Sequence, residues 1–212
     1  MVPTERYPEA RRFLATLDED WARHVQHIGA CLHQPKPARD PYEALARAIA
    51  YQQLHARAGD AILGRLLMLA GGTFPSAAAL LEMDVAALRS CGFSASKIAT
   101  LQGIAQGRVT GLVPDREQAL AMNDETLIER LTTLRGVGRW TVEMLLIYTL
   151  ERDDILPADD FGVREGYRRL KGLAQQPTPK QIKTLGEAFS PHRTAAAWYL
   201  WRVPVPDKVA AP

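Results

Sequence analysis

The sequence predicts an all-α protein, and three observations carry that expectation. Apolar residues recur at spacings of three and four along most of the chain. Polar or proline starts and glycine stops punctuate those runs. No alternating apolar and polar stretch of useful length appears. The 212 residues suffice for one sizeable domain or two small lobes sharing a cleft.

The elements follow in order. Glu5–Leu17 and Glu19–Leu32 carry Phe13, Leu14 and Leu17, then Trp21, Val25 and Ile28, at helical spacing. Gln34–Pro41, with three prolines, reads as a linker that stops the second helix. Tyr42–Leu69 is a long helical stretch, bent or broken near Gln52–His55 or Gly59, and Gly71-Gly72 ends it. Asp84 caps a helix over Val85–Cys91 that Gly92 closes, and Ser94 or Ser96 starts one running to about Gly107. Asp124 caps Glu125–Leu134, and Arg139–Leu150 follows a glycine turn. Helices over Asp160–Lys171, Pro179–Phe189 and Pro191–Trp201 complete the set, the last two opened by prolines. Residues 203–212, with three prolines, read as a frayed tail.

Composition excludes several classes. With 47% apolar and 24% charged residues the chain reads as globular. No run approaches the roughly 18 apolar residues of a membrane helix. The start, MVPTERYPEARR, lacks the plan of a signal peptide, so the expected location is the cytoplasm, with no membrane partner. Two cysteines, Cys31 and Cys91, are too few for a zinc site or an iron–sulfur cluster and read as buried small hydrophobes. The net charge of +2 hides an asymmetry: from Asp160 onward 9 basic residues face 4 acidic ones. That suits a surface facing nucleic acid and equally suits a solvated helix face.

The stretch 134–150, LRGVGRWTVEMLLIYTL, is the most informative. Gly136-Val137-Gly138 joins two helical runs. Such a turn reads either as a glycine C-cap between antiparallel helices or as a backbone cradle for a phosphate. One glycine suffices for a cap, so the second favours the phosphate, and Thr141 adds a hydroxyl just inside the next helix. Asp159-Asp160 opens another helix. One aspartate is enough for an N-cap, and the other is then available as a carboxylate for stabilising a cation or activating water. Trp140, Trp198, Tyr199 and Trp201 read as core by default, or as walls against which a flat base stacks. A weak internal echo relates Leu88–Lys97 to Leu131–Thr141, both helix, small-residue turn, helix.

Four stretches together resemble the helix-hairpin-helix DNA glycosylase superfamily, and within it the bacterial 3-methyladenine DNA glycosylase II (alkylpurine) family. They are LRGVGRWTVEMLL (134–146), LPADDFGVREG (156–166), Ala48–Leu54, and Ser190–Thr194 with Trp198–Arg202. The resemblance runs from about Pro41 to Arg202. It implies two helical lobes with a DNA-binding cleft between them. Residues 1–40 would be N-terminal helices packing on the second lobe, 41–202 the core and 203–212 a flexible tail.

The resemblance also implies roles. Asp160 takes the catalytic position. Gly136, Val137, Gly138, Arg139 and Thr141 take the hairpin positions that hold the DNA backbone. The main-chain carbonyls of Thr132, Leu134 and Val137 are placed to hold a Na+ or K+ ion, with no other cofactor. Gln52, Gln53, Leu54 and His55 lie where the family wedges the duplex, with Gln53 or Leu54 leading. Trp140, Met144, Trp198, Tyr199 and Trp201 would line the base pocket. Trp140 stands where strand-cutting members carry lysine, and an indole cannot form a Schiff base, so base release without lyase activity is expected.

The extra N-terminal domain of long relatives is expected to have no counterpart here, two cysteines exclude the iron–sulfur branch, and Met144 stands where long relatives have an aromatic. The implied function is a monomeric, nucleoid-associated base excision repair glycosylase that flips out and hydrolyses alkylated bases such as 3-methyladenine and 7-methylguanine in duplex DNA. The alternatives are a non-enzymatic DNA-binding protein of the same motif and a glycosylase for another lesion.

Overall fold

The computed structural model describes residues 4–204, with Ala56 described for its backbone alone. Among them every regular element is a helix, and none is long and apolar enough to cross a membrane. The chain forms two compact units. Lys36–Glu151 makes one continuous unit, and the described residues up to Pro35 and from Arg152 onward make the other. That division falls inside the 41–202 segment read as one core. Of the tail read over 203–212, residues 205–212 lie outside the described residues.

The continuous unit contains α3 (Pro41–Tyr51), α4 (Ala56–Leu69), α5 (Ala77–Glu82), α6 (Val85–Ser90), α7 (Ala95–Val109), α8 (Arg116–Ala121), α9 (Asp124–Thr132) and α10 (Arg139–Tyr148). Helix α7 is its axis: it packs against α3 and α5, and its Leu101, Ile104 and Ala105 are fully buried, as are Leu45 and Ile49 of α3 and Leu80 of α5. Polar caps fix where most of these helices start. Asp40, Ser76, Asp84, Ser94, Asp115 and Asn123 each accept a backbone N–H of the first turn. Asn123 therefore corrects the expected Asp124 cap, and Asp124 is the first helical residue. The long stretch 42–69 is indeed two helices, broken at 52–55 and not at Gly59. Helices α5 and α8 went unread: six residues give too few turns for a periodic signal, and unlike the equally short α6 no glycine closes them.

The second unit contains α1 (Pro8–Leu14), α2 (Glu19–Ile28), α11 (Phe161–Leu170), α12 (Pro179–Leu185), a 3-10 turn (Gly186–Phe189) and α13 (Arg193–Leu200). Its core gathers Leu14, Trp21, Val25, Val163, Phe189 and Thr194–Leu200. Helix α13 is buried from Thr194 to Leu200 and begins two residues later than expected, with Pro191 outside it. Its start is fixed from elsewhere. Asp154 accepts the Arg193 backbone N–H at 3.1 Å, both guanidinium arms at 2.8 Å and the Ser190 hydroxyl at 2.8 Å. Burial works to raise the Asp154 pKa, but these bonds outweigh it and hold the carboxyl below its usual range.

Helix α11 lies hard against α13. A Cβ added at Gly166 would sit 2.0 Å from the Leu200 carbonyl oxygen, which is backbone and cannot move aside. Gly166→Ala should therefore destabilise the protein by about 1–3 kcal/mol despite alanine's better helix propensity. Urea unfolding checks this, and an unchanged midpoint would contradict the close approach.

Candidate nucleic-acid interface

The helical hairpin consists of α9, the turn Thr133–Gly138 and α10. Leu134 donates its N–H to Leu131 at 3.1 Å and Val137 donates to Leu134 at 3.0 Å, curling the turn around the buried Val137 side chain. The two glycines have different causes. Gly136 has φ +83°, and an added Cβ would lie 2.2 Å from Thr100 Oγ1 on α7, so conformation and packing both demand glycine. Gly138 has φ −91°, N-caps α10, and faces open space within 4 Å. Nothing inside the unit requires a glycine there. Helix α10 opens with no side-chain cap, which leaves its first turn open to an outside acceptor.

Two expected backbone ligands are otherwise engaged. Arg139 forks onto Glu125 through both terminal nitrogens and donates Nε to the buried Glu143 at 3.0 Å. Two carboxylates already answer its charge, so it is not a spare phosphate ligand. Thr141 is buried, and its hydroxyl accepts Gln52 Nε2 at 3.3 Å. The same Gln52 nitrogen donates to the Gly136 carbonyl at 3.2 Å. Gln52 therefore drops out of the wedge tip: its side chain is turned onto the hairpin. Gln53, Leu54 and His55 remain exposed, and Gln53 has φ +58°.

Trp140 and Met144, four apart on α10, line a cavity of about 320 Å³ with Leu145, Ala48, Tyr51 and Arg39. That is the lower end of the usual range for small-molecule pockets. The Tyr51 ring packs against Gly59 of α4, where an added Cβ would meet it at 2.2 Å. Its hydroxyl donates to Asp60 at 2.5 Å.

In the other unit Asp159 is exposed and Asp160 half-buried. Asp160 N-caps α11, and its Oδ1 accepts the Val163 N–H at 2.8 Å. The same oxygen accepts the Trp201 indole Nε1–H, also at 2.8 Å. Gly162 makes room for this pair. A Cβ there would sit 2.8 Å from the Trp201 ring and 3.0 Å from Asp160 Oδ1.

The expected aromatic wall divides. Trp198 is 4% exposed and Tyr199 0%. Trp198 packs edge-on to Tyr199 under Arg202, and Tyr199 donates its hydroxyl to Gly29 at 2.8 Å. Both are buried in the core of this unit. Trp201, at the end of α13, is half-buried. Sequence reading missed Gly162, Thr100 and Lys97. A glycine inside a helical pattern was the one available signal for Gly162.

A family model described as HhH-GPD superfamily base excision DNA repair protein matches residues 46–191. The chain belongs to this superfamily. The DNA-3-methyladenine glycosylase 1 of Schizosaccharomyces pombe is 46% identical over 198 residues, which are 92% of this chain and 86% of that protein. The Escherichia coli DNA-3-methyladenine glycosylase 2 is 25% identical over 171 residues, 76% of this chain and 57% of that one. The solved structure of the S. pombe 3-methyladenine DNA glycosylase Mag1 in complex with abasic DNA aligns with a TM-score of 0.86, covering 91% of this chain and 95% of that one. The superfamily expected from the four motifs is thus the one that matches, and the fungal relative shares more residues than the bacterial one.

The two hairpin glycines should separate in stability. Gly136→Ala should cost about 1–3 kcal/mol through its left-handed backbone and the Thr100 collision. Gly138→Ala should stay within about 0.5 kcal/mol of the parent. Thermal or urea melting of both variants decides it; equal costs would mean that Gly138 too is a packing glycine.

Proposed function

We propose that this protein is a DNA glycosylase that releases alkylated bases from duplex DNA by hydrolysing the N-glycosidic bond. The observation that carries the reading is the Asp160 carboxylate, fixed at the N-terminus of α11 by a backbone N–H and an indole N–H on one oxygen. The names of the S. pombe and E. coli relatives, and the abasic DNA in the Mag1 complex, support the substrate class.

The chemistry follows from charge. Methylation at N3 or N7 makes a purine cationic and a good leaving group, so little general acid is needed. The bond opens towards an oxocarbenium-like sugar, whose positive charge a fixed carboxylate stabilises without reorganising. Both donors on Asp160 meet Oδ1, which sets the rotation of the group. In this reading Trp140 and Met144 receive the extruded base. The indole face suits a cationic ring, and methionine adapts to lesions of differing shape. The hairpin holds the DNA backbone through main-chain amides around Gly138, while Gln53, Leu54 and His55 enter the duplex. The carbonyls of Thr132, Leu134 and Val137, at a helix C-terminus and the turn after it, are hard oxygen donors that suit a monovalent cation. Such an ion would brace the turn. Because Trp140 offers no amine, base release leaves an abasic site uncut.

Asp160→Asn keeps an acceptor for both N–H groups and should fold normally. It should lose base release by at least about 100-fold while binding abasic-site DNA within a few-fold. Trp201→Phe removes one hydrogen bond to the carboxylate and should lose roughly tenfold. Single-turnover release from N7-methylguanine duplexes measures both; full activity in Asp160→Asn overturns the reading and leaves a DNA-binding module. Gly138→Asp places charge and bulk at the open turn and should weaken binding to any duplex at least about tenfold. Unchanged affinity would remove the hairpin as the anchor. Borohydride should trap no covalent adduct, and a robust one would refute the absence of lyase chemistry.

A further inference from the structure

We infer that Gln52 is a positioning residue that seats the duplex-opening loop Gln53–His55 on the helical hairpin, with Lys97 holding the loop from its other side. This rests on the proposed function, because it is that reading which sends the loop into DNA. The geometry itself is independent of it. The chain leaves α3 at Gln52 and passes through Gln53 at φ +58°. A residue with a side chain adopts that left-handed value only where its surroundings impose it.

Two ties impose it. Gln52 Nε2 reaches across the sequence to the Gly136 carbonyl at 3.2 Å and the Thr141 hydroxyl at 3.3 Å. Lys97 Nζ, from α7, donates to the carbonyls of Ala50 at 3.1 Å and Gln52 at 2.9 Å. It thereby satisfies the orphan carbonyls ending α3 and sets a cation at the negative end of that helix. Its own burial pushes the ammonium pKa down. Gln52 is thus held at both ends, by side chain on the hairpin and by main chain on α7. Beyond it the next three side chains are exposed, Leu54 at 42%.

The consequence is mechanical. A side chain that separates stacked bases must be carried by a loop ordered beforehand, since ordering each residue on insertion costs about 1–2 kcal/mol. The Gln52 bonds join the opening loop to the turn that includes Gly138. Engagement of a phosphate at the turn and placement of the loop then share one rigid frame. Gln52 touches neither base nor sugar in this account. Its effect is felt only where a base pair has to be opened.

Two measurements on the full chain test this. In the free protein, Gln52→Ala should speed amide exchange at Gln53, Leu54 and His55 by at least about tenfold while α7 and α9 are unchanged. Unchanged exchange at those three residues overturns the proposal. The second compares single-turnover release of N7-methylguanine paired with cytosine against the same lesion opposite an abasic site, where the pair is already lost. Gln52→Ala should lose about tenfold on the paired lesion and less than about twofold on the unpaired one. An equal loss on both means that Gln52 is only structural and overturns the role in opening. Lys97→Arg, which keeps a cationic donor, should preserve the parent ratio; Lys97→Met should shift it as Gln52→Ala does, and a parent-like ratio in Lys97→Met removes Lys97 from the device. Should the parent protein release no base from either duplex, the glycosylase reading fails, and the exchange result still decides the seating.

Discussion

A single oxygen atom organises the second unit. Asp160 Oδ1 accepts two N–H groups, each at 2.8 Å, from residues on two helices: Val163 of α11 and Trp201 just after α13. For both to reach it, the helices must approach closer than ordinary side chains permit. Gly162 and Gly166, one helical turn apart, permit it, the first beneath the indole and the second against the Leu200 backbone. Small residues Ala195, Ala196 and Ala197 keep α13 buried, and Asp154 fixes where α13 begins. The position of one carboxylate thus descends from a chain of packing constraints, each with a named residue.

The hairpin follows a different logic. Arg139 is spent internally on Glu125 and Glu143, and the Thr141 hydroxyl on Gln52. What the turn offers outward is the exposed Arg135 and backbone. A turn presenting amides accepts a phosphate at any base sequence, because no base edge is read. That agrees with a chain whose net charge is only +2. Attachment by main chain also explains why the two glycines are not equivalent: one is packed against Thr100, and the other leaves the approach open.

The sequence made the all-helical class, most helix positions and the hairpin legible, because apolar periodicity and caps are local signals. Errors fell where locality ends. Helices α5 and α8 are short and, unlike the equally short α6, have no glycine stop, and Pro191 looked like a helix start although α13 begins at Arg193. At the site, the pair Asp159-Asp160 and the Gly136–Gly138 turn stood out in the sequence, and the family resemblance singled out Asp160. The partners did not: nothing local ties Trp201 to Asp160 across 41 positions or Gln52 to Gly136 across 84. Tryptophans were the hardest. Trp140, Trp198 and Trp201 looked alike in sequence, yet one lines a cavity, one fills the core and one donates to a carboxylate. Only the surroundings of each indole separate them.

The Asp160 arrangement contains an asymmetry that stability does not account for. An N-cap needs an acceptor oxygen, and asparagine supplies one about as well as aspartate. A half-buried indole N–H also needs only an acceptor, and a neutral amide oxygen would serve. Folding therefore explains why position 160 carries a short side chain with an oxygen, and explains its rotation. Neither donor requires that the oxygen belong to a charged group. Burying a carboxylate in part carries a desolvation cost that an amide would largely avoid. The cap and the indole bond thus account for an oxygen at position 160, and in the proposed mechanism its charge would answer the positive charge developing on a sugar during bond cleavage.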